Sequence, residues 1–183
     1  MTTVSTFAVT RTNDGTIRVY DASVSVEFRT GLGIHFTGID GFPAREILLR
    51  TIKALAASGC IVGNRRITAD VDLGATINVK ERYSMLTELF DFPLAVAIMN
   101  ELGFAKFDTS LRTRYVGSLC PDGRIEVLGD AVYFACHDRV FMGSELVCAN
   151  TIFADCKVDP GHVYLNTFRR TFNLELTEKN GGK

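Results

Sequence analysis

Several groupings in this chain carry the atom types of catalysis or metal ligation. Lys80 and Ser84 lie four residues apart and would share a face if residues 80–88 were helical. A lysine of lowered pKa could then activate the hydroxyl, which requires burial. Lys80, Glu81 and Arg82 read instead as a hydrated run, so a solvated loop is the expectation. Cys136-His137, Cys148 and Cys156 offer thiolates and an imidazole, but 12 and 8 residues separate successive cysteines. Zinc needs four convergent ligands, usually drawn from tighter spacings, so small buried thiols are expected and no metal. Asp70 and Asp72 alternate along one strand, where paired carboxylates could bind a hard cation or share a proton. A hydrated outer face, with Arg65 or Arg66 nearby, is the ordinary reading. His35 alternates with Ile34 and Phe36 and should point outward, whereas His162 follows a Pro-Gly turn with no evident partner.

The segment Gly38-Ile-Asp-Gly41 precedes a helix and could bind an anion on free helix-start N–H groups. Gly38, Asp40, Gly41 and Arg45 are the candidate ligand-binding residues. Asp40 would repel a phosphate, and a tight turn that needs glycine explains the same residues. Arg65, Arg66, Arg112 and Arg114, with Arg169-Arg170, are the basic clusters that could contact a nucleic-acid backbone. The only Gly-Lys pair stands at 182–183. A Gly-x-x-x-x-Gly-Lys-Ser/Thr phosphate loop is therefore missing from the sequence, and no cofactor is expected.

Positioning such groups requires a core, and 183 residues suit one domain. Hydrophobic content of 46%, charged content of 22% and a net charge of −1 are ordinary for a globular chain. They argue against a strongly basic nucleic-acid binder. The cysteines, at 60, 120, 136, 148 and 156, form no paired framework. With no basic, apolar leader in Met1 to Thr10, free thiols in the cytoplasm are the expectation. The longest apolar run, Phe92 to Met99, is far short of the ~20 residues that span a bilayer.

Thr6 to Thr12 and Thr16 to Arg29 read as strands joined through Asn13-Asp14-Gly15. Ala22, Val24, Val26 and Phe28 share a parity that Ile17 and Val19 break, which predicts a bulge near Tyr20-Asp21. After Gly31 and Gly33 comes a short strand through Thr37. A helix follows Pro43, its apolar stripe being Ala44, Ile47, Leu48, Ile52, Leu55 and Ala56. Arg45, Glu46, Arg50 and Lys53 lie off that stripe, with Glu46 able to meet Arg50, and Ser58-Gly59 ends the helix. Ile67 to Leu73 alternates as a strand. Leu94 to Leu102 is apolar on nearly every side and should be a central helix. Arg112 to Val127 reads as a hairpin about Pro121-Asp122-Gly123. A short helix after Gly129 and two or three strands are expected through Leu176, and residues 176–183 as a frayed tail. The predicted class is α+β: a mixed β-sheet with helices packed mainly on one face.

On these residues the chain resembles the amino-terminal domain of Mg-chelatase-like, ComM-type AAA ATPases. The matching elements are Gly31-Leu32, Gly38-Ile-Asp-Gly-Phe-Pro43, Arg65-Arg-Ile-Thr68, Lys80-Glu81 and Phe90-Asp-Phe-Pro-Leu-Ala95. Gly117-Ser-Leu-Cys-Pro-Asp-Gly-Arg124 is similar to the family's Asp-Gly hairpin. The likeness runs over roughly residues 5–130, in the family's order. It implies the fold of the second domain of ribosomal small-subunit protein five, shared with the Lon proteolytic domain. A Lon-like serine would fall at Glu88 or Leu89 and its lysine near Ala131 and Val132. No lysine stands between Lys106 and Lys157, so the Ser–Lys chemistry cannot be carried over. About five residues are inserted before Phe90, relative to the family, and the ATPase module is absent.

The resulting expectation is a stand-alone, non-catalytic relative that acts by binding an AAA ATPase or other protein, nucleic acid or a second copy of itself, without a membrane. The alternative is a small enzyme with an unrelated active site on the same fold. That reading expects a concave pocket between the 82–89 loop and the 38–45 turn.

Overall fold

The computed structural model describes residues 1–156, 163–166 and 168. Strands β1 (Thr2–Arg11) and β2 (Ile17–Arg29) form a long antiparallel hairpin, followed by β3 (Ile34–Thr37) and helix α1 (Gly41–Ala57). Strand β4 (Arg66–Asp72), the single turn α2 (Val79–Arg82), a 3-10 turn (Thr87–Phe90) and α3 (Asp91–Glu101) come next. The chain continues through β5 (Thr113–Tyr115), α4 (Asp130–Arg139), β6 (Glu145–Val147) and α5 (Ala149–Cys156). The main sheet has the order β1-β2-β4-β3, with β3 parallel to β4 and the other pairs antiparallel. The fold is therefore α+β with a mixed sheet, as its alternation of strands and helices predicts.

No bulge interrupts the first hairpin. Its register runs unbroken from Thr2↔Val26 to Arg11↔Ile17. The change of parity is real, but it reflects burial of both faces. Tyr20, Ala22, Val24 and Val26 pack with Val4 and Ala8 toward α1 and α3. Ile17 and Val19 pack with Phe7 and Val9 on the opposite face, against Val132 and Cys136 of α4. A strand covered on both sides has no single polar face, so alternation alone misplaces its pairing.

Pro43 and Pro93 are each the third residue of their helix. The first helical N–H groups lack intrahelical partners, so proline there sacrifices no bond. Helices α1 and α3 lie side by side over the sheet. Nine of the eleven residues of α3 are buried, as its nearly uniform apolar sequence requires. In α1 the buried residues are Ala44, Ile47, Thr51, Ala54 and Leu55, while Ala56 is exposed. The stripe is turned toward Thr51, which donates to the Asp91 carbonyl (3.4 Å).

Asp91 is fully buried. Arg50 reaches it from α1 with Nε on Oδ2 (2.7 Å) and Nη2 on Oδ1 (3.1 Å), and the Leu119 N–H donates to Oδ2 (3.3 Å). Glu46 also approaches Arg50, at 3.8 Å. One carboxylate thus links α1, α3 and the 117–119 segment.

The 112–127 stretch departs from a regular hairpin. Its turn forms, with Gly123 N–H donating to the Cys120 carbonyl (3.0 Å) and a single bridge at Leu119↔Ile125. Beyond it each limb finds another partner. Thr113–Tyr115 runs parallel to β6, and the Ile125 N–H donates to the Val163 carbonyl (2.7 Å). The helix after Gly129 is α4. Among the described residues after α4 there is one strand, β6, and then α5; the rest of the span expected to hold two or three strands lies outside them. Arg169-Arg170, His162 and the 176–183 tail lie outside the described residues.

Gly38 fixes the junction between β3 and α1. Its φ is +87°, and a Cβ there would stand 1.8 Å from the Val71 carbonyl oxygen. Gly63 has φ +69° but open space around it. We expect Gly38→Ala to cost about 3 kcal/mol or more, and Gly63→Ala only about 1 kcal/mol, in chemical denaturation. Equal losses would contradict the proposed contact.

Burial raises the Asp91 carboxyl from its ordinary 3.8 to about 7, against the pull of Arg50 and the Leu119 N–H. A folded value above the unfolded one means that the folded state holds the proton more tightly. This contribution to stability is complete below about pH 4 and is lost as the pH rises through about 7. Asp91→Asn should remove that slope. The melting temperature of the wild type relative to the variant should therefore fall between those limits; a constant difference would refute the assignment.

Candidate functional site

Between the β3–α1 turn and the 79–87 segment lies a cleft of about 560 Å³. Gly38 must lean on β4 to bring the α1 start to this position. Ile39, Leu73 and Met85 line the interior, and Phe42, Val79 and Tyr83 line it while keeping 74%, 68% and 88% of their surfaces exposed. Arg82, Asp40 and Thr87 supply the polar side chains. Neither Arg82 nor Asp40 belongs to an ion pair among the described residues. Asp40 is the N-cap of α1, yet its side chain makes no capping hydrogen bond.

The wall formed by α2 is held from beneath. Glu81 is only 8% exposed, a correction to the hydrated run expected at 80–82. Its Oε1 accepts from Arg18 Nη1 and Tyr20 Oη, both at 2.6 Å, and its Oε2 accepts from the Asn78 N–H (3.3 Å). The Asn78 side chain accepts from the Glu81 N–H (2.9 Å), completing a capping box. Such reciprocal capping fixes a turn too short to persist alone. The box turns Glu81 inward and leaves Val79, Arg82 and Tyr83 for the cleft. The sequence signal for it is the capping pattern Asn78-x-x-Glu81.

Lys80 is exposed, and Ser84 Oγ donates to the Glu81 carbonyl (3.0 Å) rather than meeting an amine. Cys136 and Cys148 are buried in the core on the α4 side of the sheet. Burial pushes the Cys136 thiol up to about 12 and the Cys148 thiol in the same direction. His137 is exposed. No group of three or more metal-ligating side chains converges among the described residues. Asp70 accepts from Thr37 Oγ1, Asp72 accepts from the Gly74 N–H (2.8 Å), and His35 is exposed on the same strand as Thr37.

The structure separates the arginine clusters. Arg65 lies over the Phe28 ring at 5.7 Å, and Arg66 stands across from Arg29. Arg114 instead meets Asp21 (3.5 Å) and the Phe7 ring (5.7 Å), while Arg112 is exposed before β5. Asp21 and Arg29 are eight residues apart on β2, roughly 26 Å along a strand. Arg45 lies one helical turn beyond Gly41, exposed.

A second cleft, of about 510 Å³, is lined by Glu88, Leu89, Ser118, Arg124, Glu126 and Val132 among others. Ser118 Oγ donates to Glu126 Oε2 (2.6 Å), Cys120 Sγ to Glu126 Oε1 (3.3 Å), and Arg124 Nη2 contacts the sulfur at 3.0 Å. Hydrogen bonds from Ser118 and Cys120 hold the Glu126 carboxyl below its ordinary value. Burial, and then Glu126, push the Cys120 thiol up. A protonated thiol is a poor nucleophile and a weakened carboxylate base activates no serine. Sequence reasoning missed this cluster. Its signal was the Leu119↔Ile125 bridge implied by the Pro121-Asp122-Gly123 turn, which places Ser118 opposite Glu126.

Fold and clefts define an α+β domain with an aromatic-rimmed apolar cleft on one side and a polar, hydrogen-bonded one beside it. The chain matches no family model and no curated protein. Among the described residues no helix is long and apolar enough to cross a membrane.

The Glu81 carboxyl is held below its ordinary 4.5, first by the Tyr20 hydrogen bond and then by Arg18. The stabilisation it gives is present above about pH 4.5 and is lost as the pH falls below the depressed folded value. Glu81→Gln should therefore lower the hydrogen-exchange protection factors at 79–83 by roughly tenfold at neutral pH. Acidification below the folded value should lower those of the wild type likewise, each measured against the intrinsic rate at its own pH. Unchanged protection in the variant would show that the α2 wall does not depend on this carboxylate.

Proposed function

We propose that this chain is a non-catalytic binding domain, akin to the amino-terminal domain of ComM-type ATPases, and that the cleft between 38–45 and 79–87 is its binding site. One observation carries the second part: Phe42, Val79 and Tyr83 stay largely exposed around a cleft of about 560 Å³. Exposed aromatic side chains around a concavity are typical of sites awaiting a partner. The kinship rests on the order of the motifs from Gly31-Leu32 to Gly117–Arg124. It is supported by Glu88, Leu89 and Val132, from distant parts of the chain, lining one cleft. A separate AAA ATPase is the partner that this kinship offers, ahead of nucleic acid or a second copy.

The enzyme alternative expects convergent polar groups at the same cleft. Its lining is mostly apolar, with Asp40 and Arg82 the only charged side chains among the described residues. That composition favours binding over catalysis.

A random peptide library selected on the intact chain tests the proposal. Selected peptides should shift amide resonances in 38–45 and 79–87, and Phe42→Ala and Tyr83→Ala should each weaken binding roughly tenfold. Shifts confined to the Arg65–Arg66 end of the sheet, or undiminished binding by both variants, would overturn it.

A further inference from the structure

The charge around the cleft and the apolar surface that continues from it narrow what it binds. Arg82 lines the cleft on the α2 side, Lys80 is exposed in the same turn, and Arg45 is exposed one helical turn beyond Gly41. Against these three cations stand two carboxylates among the described residues, Asp40 in the cleft lining and the half-exposed Glu46 beside Arg45. Glu81 is already engaged by Arg18, whereas Arg50, 3.8 Å from Glu46, is held by Asp91 at 2.7 Å and leaves Glu46 largely uncompensated. The α1 N-terminus adds the positive end of a helix dipole, so the mouth of an apolar cleft is positive.

The apolar surface does not stop at the cleft. Phe42, Arg45 and Leu49 follow one another at helical spacing along an open face of α1, with Leu49 half-exposed. The row extends ~10 Å along the helix from Phe42. An occupant that covers this row as well as the cleft is longer than a small molecule. Its apolar groups must be spaced, with negative charge between them opposite Arg45.

We infer that the cleft docks a segment of another protein, with an aromatic or large aliphatic side chain inserted between Phe42 and Tyr83 and flanking carboxylates that meet Arg82, Lys80 and Arg45. The inference rests on the reading of this cleft as the binding site. A nucleic-acid strand could also use aromatic side chains and cations. The aliphatic interior of Ile39, Leu73 and Met85 suits a hydrocarbon side chain better than a base, and Asp40 would repel a backbone phosphate.

Fluorescence anisotropy with the intact chain and labelled probes tests this. The probes are a short peptide carrying Phe and Leu among Asp and Glu residues, the same peptide with Lys for each acid, one with Ala for Phe and Leu, and an oligo-dT strand. The acidic peptide should bind at least roughly tenfold more tightly than either peptide control, and added salt should weaken it. Arg45→Glu with Arg82→Glu, exposed positions outside any ion pair among the described residues, should reverse the preference toward the Lys peptide. Equal binding of acidic and Lys peptides, both abolished by Phe42→Asp, would overturn the partner chemistry and leave the cleft as a binding site. Absence of binding by every probe at millimolar concentration would overturn both. Tight oligo-dT binding lost in the double variant would replace the protein partner with nucleic acid. Self-association of the wild type, abolished by Phe42→Asp, would make a second copy the occupant.

Discussion

A carboxylate without access to water organises this fold. Asp91 begins α3, accepts a two-pronged guanidinium from α1 and a backbone N–H from the strand-like 117–119 segment. Its own carbonyl accepts from Thr51. Burying a charge is unfavourable unless it is paired and its remaining lone pairs are satisfied. Both oxygens are occupied here, so the arrangement holds only when all three segments are in place. Removing one partner from such a pair typically costs about 3–5 kcal/mol, comparable to a large share of a domain's net stability. Apolar burial attracts α1 and α3 without direction. The ion pair sets how they are aligned.

The elements of the fold were legible where one physical rule acts alone. The Asn13-Asp14-Gly15 turn, the Ile67–Leu73 alternation and the two proline-bearing helices follow from local chemistry, and each is present. Legibility failed where tertiary contacts overruled local pattern. The parity change at Tyr20 suggested a bulge because a strand covered on one face is the simpler case; α4 covers the other face. The 112–127 limbs read as partners of each other because the turn between them is strong. Residues 163–165 and β6, distant in sequence, compete successfully for their hydrogen bonds.

For the site, the sequence marked the right segments and little of their chemistry. The 38–45 turn and the 82–89 loop do face each other, but the side chains that matter are Phe42, Val79 and Tyr83. Single exposed apolar residues are common on protein surfaces, so nothing marks these three until the fold gathers them. Glu81 shows the reverse. A charged residue between Lys80 and Arg82 looks solvated, yet β2 brings Arg18 and Tyr20 beneath it. The capping pattern at Asn78 could have indicated that its carboxylate turns back toward the chain.

The two clefts are not independent, because residues 84–89 form a wall of each. Met85 and Thr87 face the apolar cleft, while Leu86, Glu88 and Leu89 face the polar one. This segment is tied to the edge of β1 by the Arg11 N–H on the Ser84 carbonyl (2.9 Å) and the Leu86 N–H on the Val9 carbonyl (2.8 Å). Met85 and Leu86 turn to opposite sides just before the 3-10 turn that begins at Thr87, so a single partition lines an apolar cavity and a polar one. Its shape is set by the β1 edge at one end and by the buried Leu89 and Phe90, which lead into Asp91, at the other. The constraint that aligns the helices thus also fixes the partition, and the geometry of the apolar cleft depends on an ion pair that lies outside it.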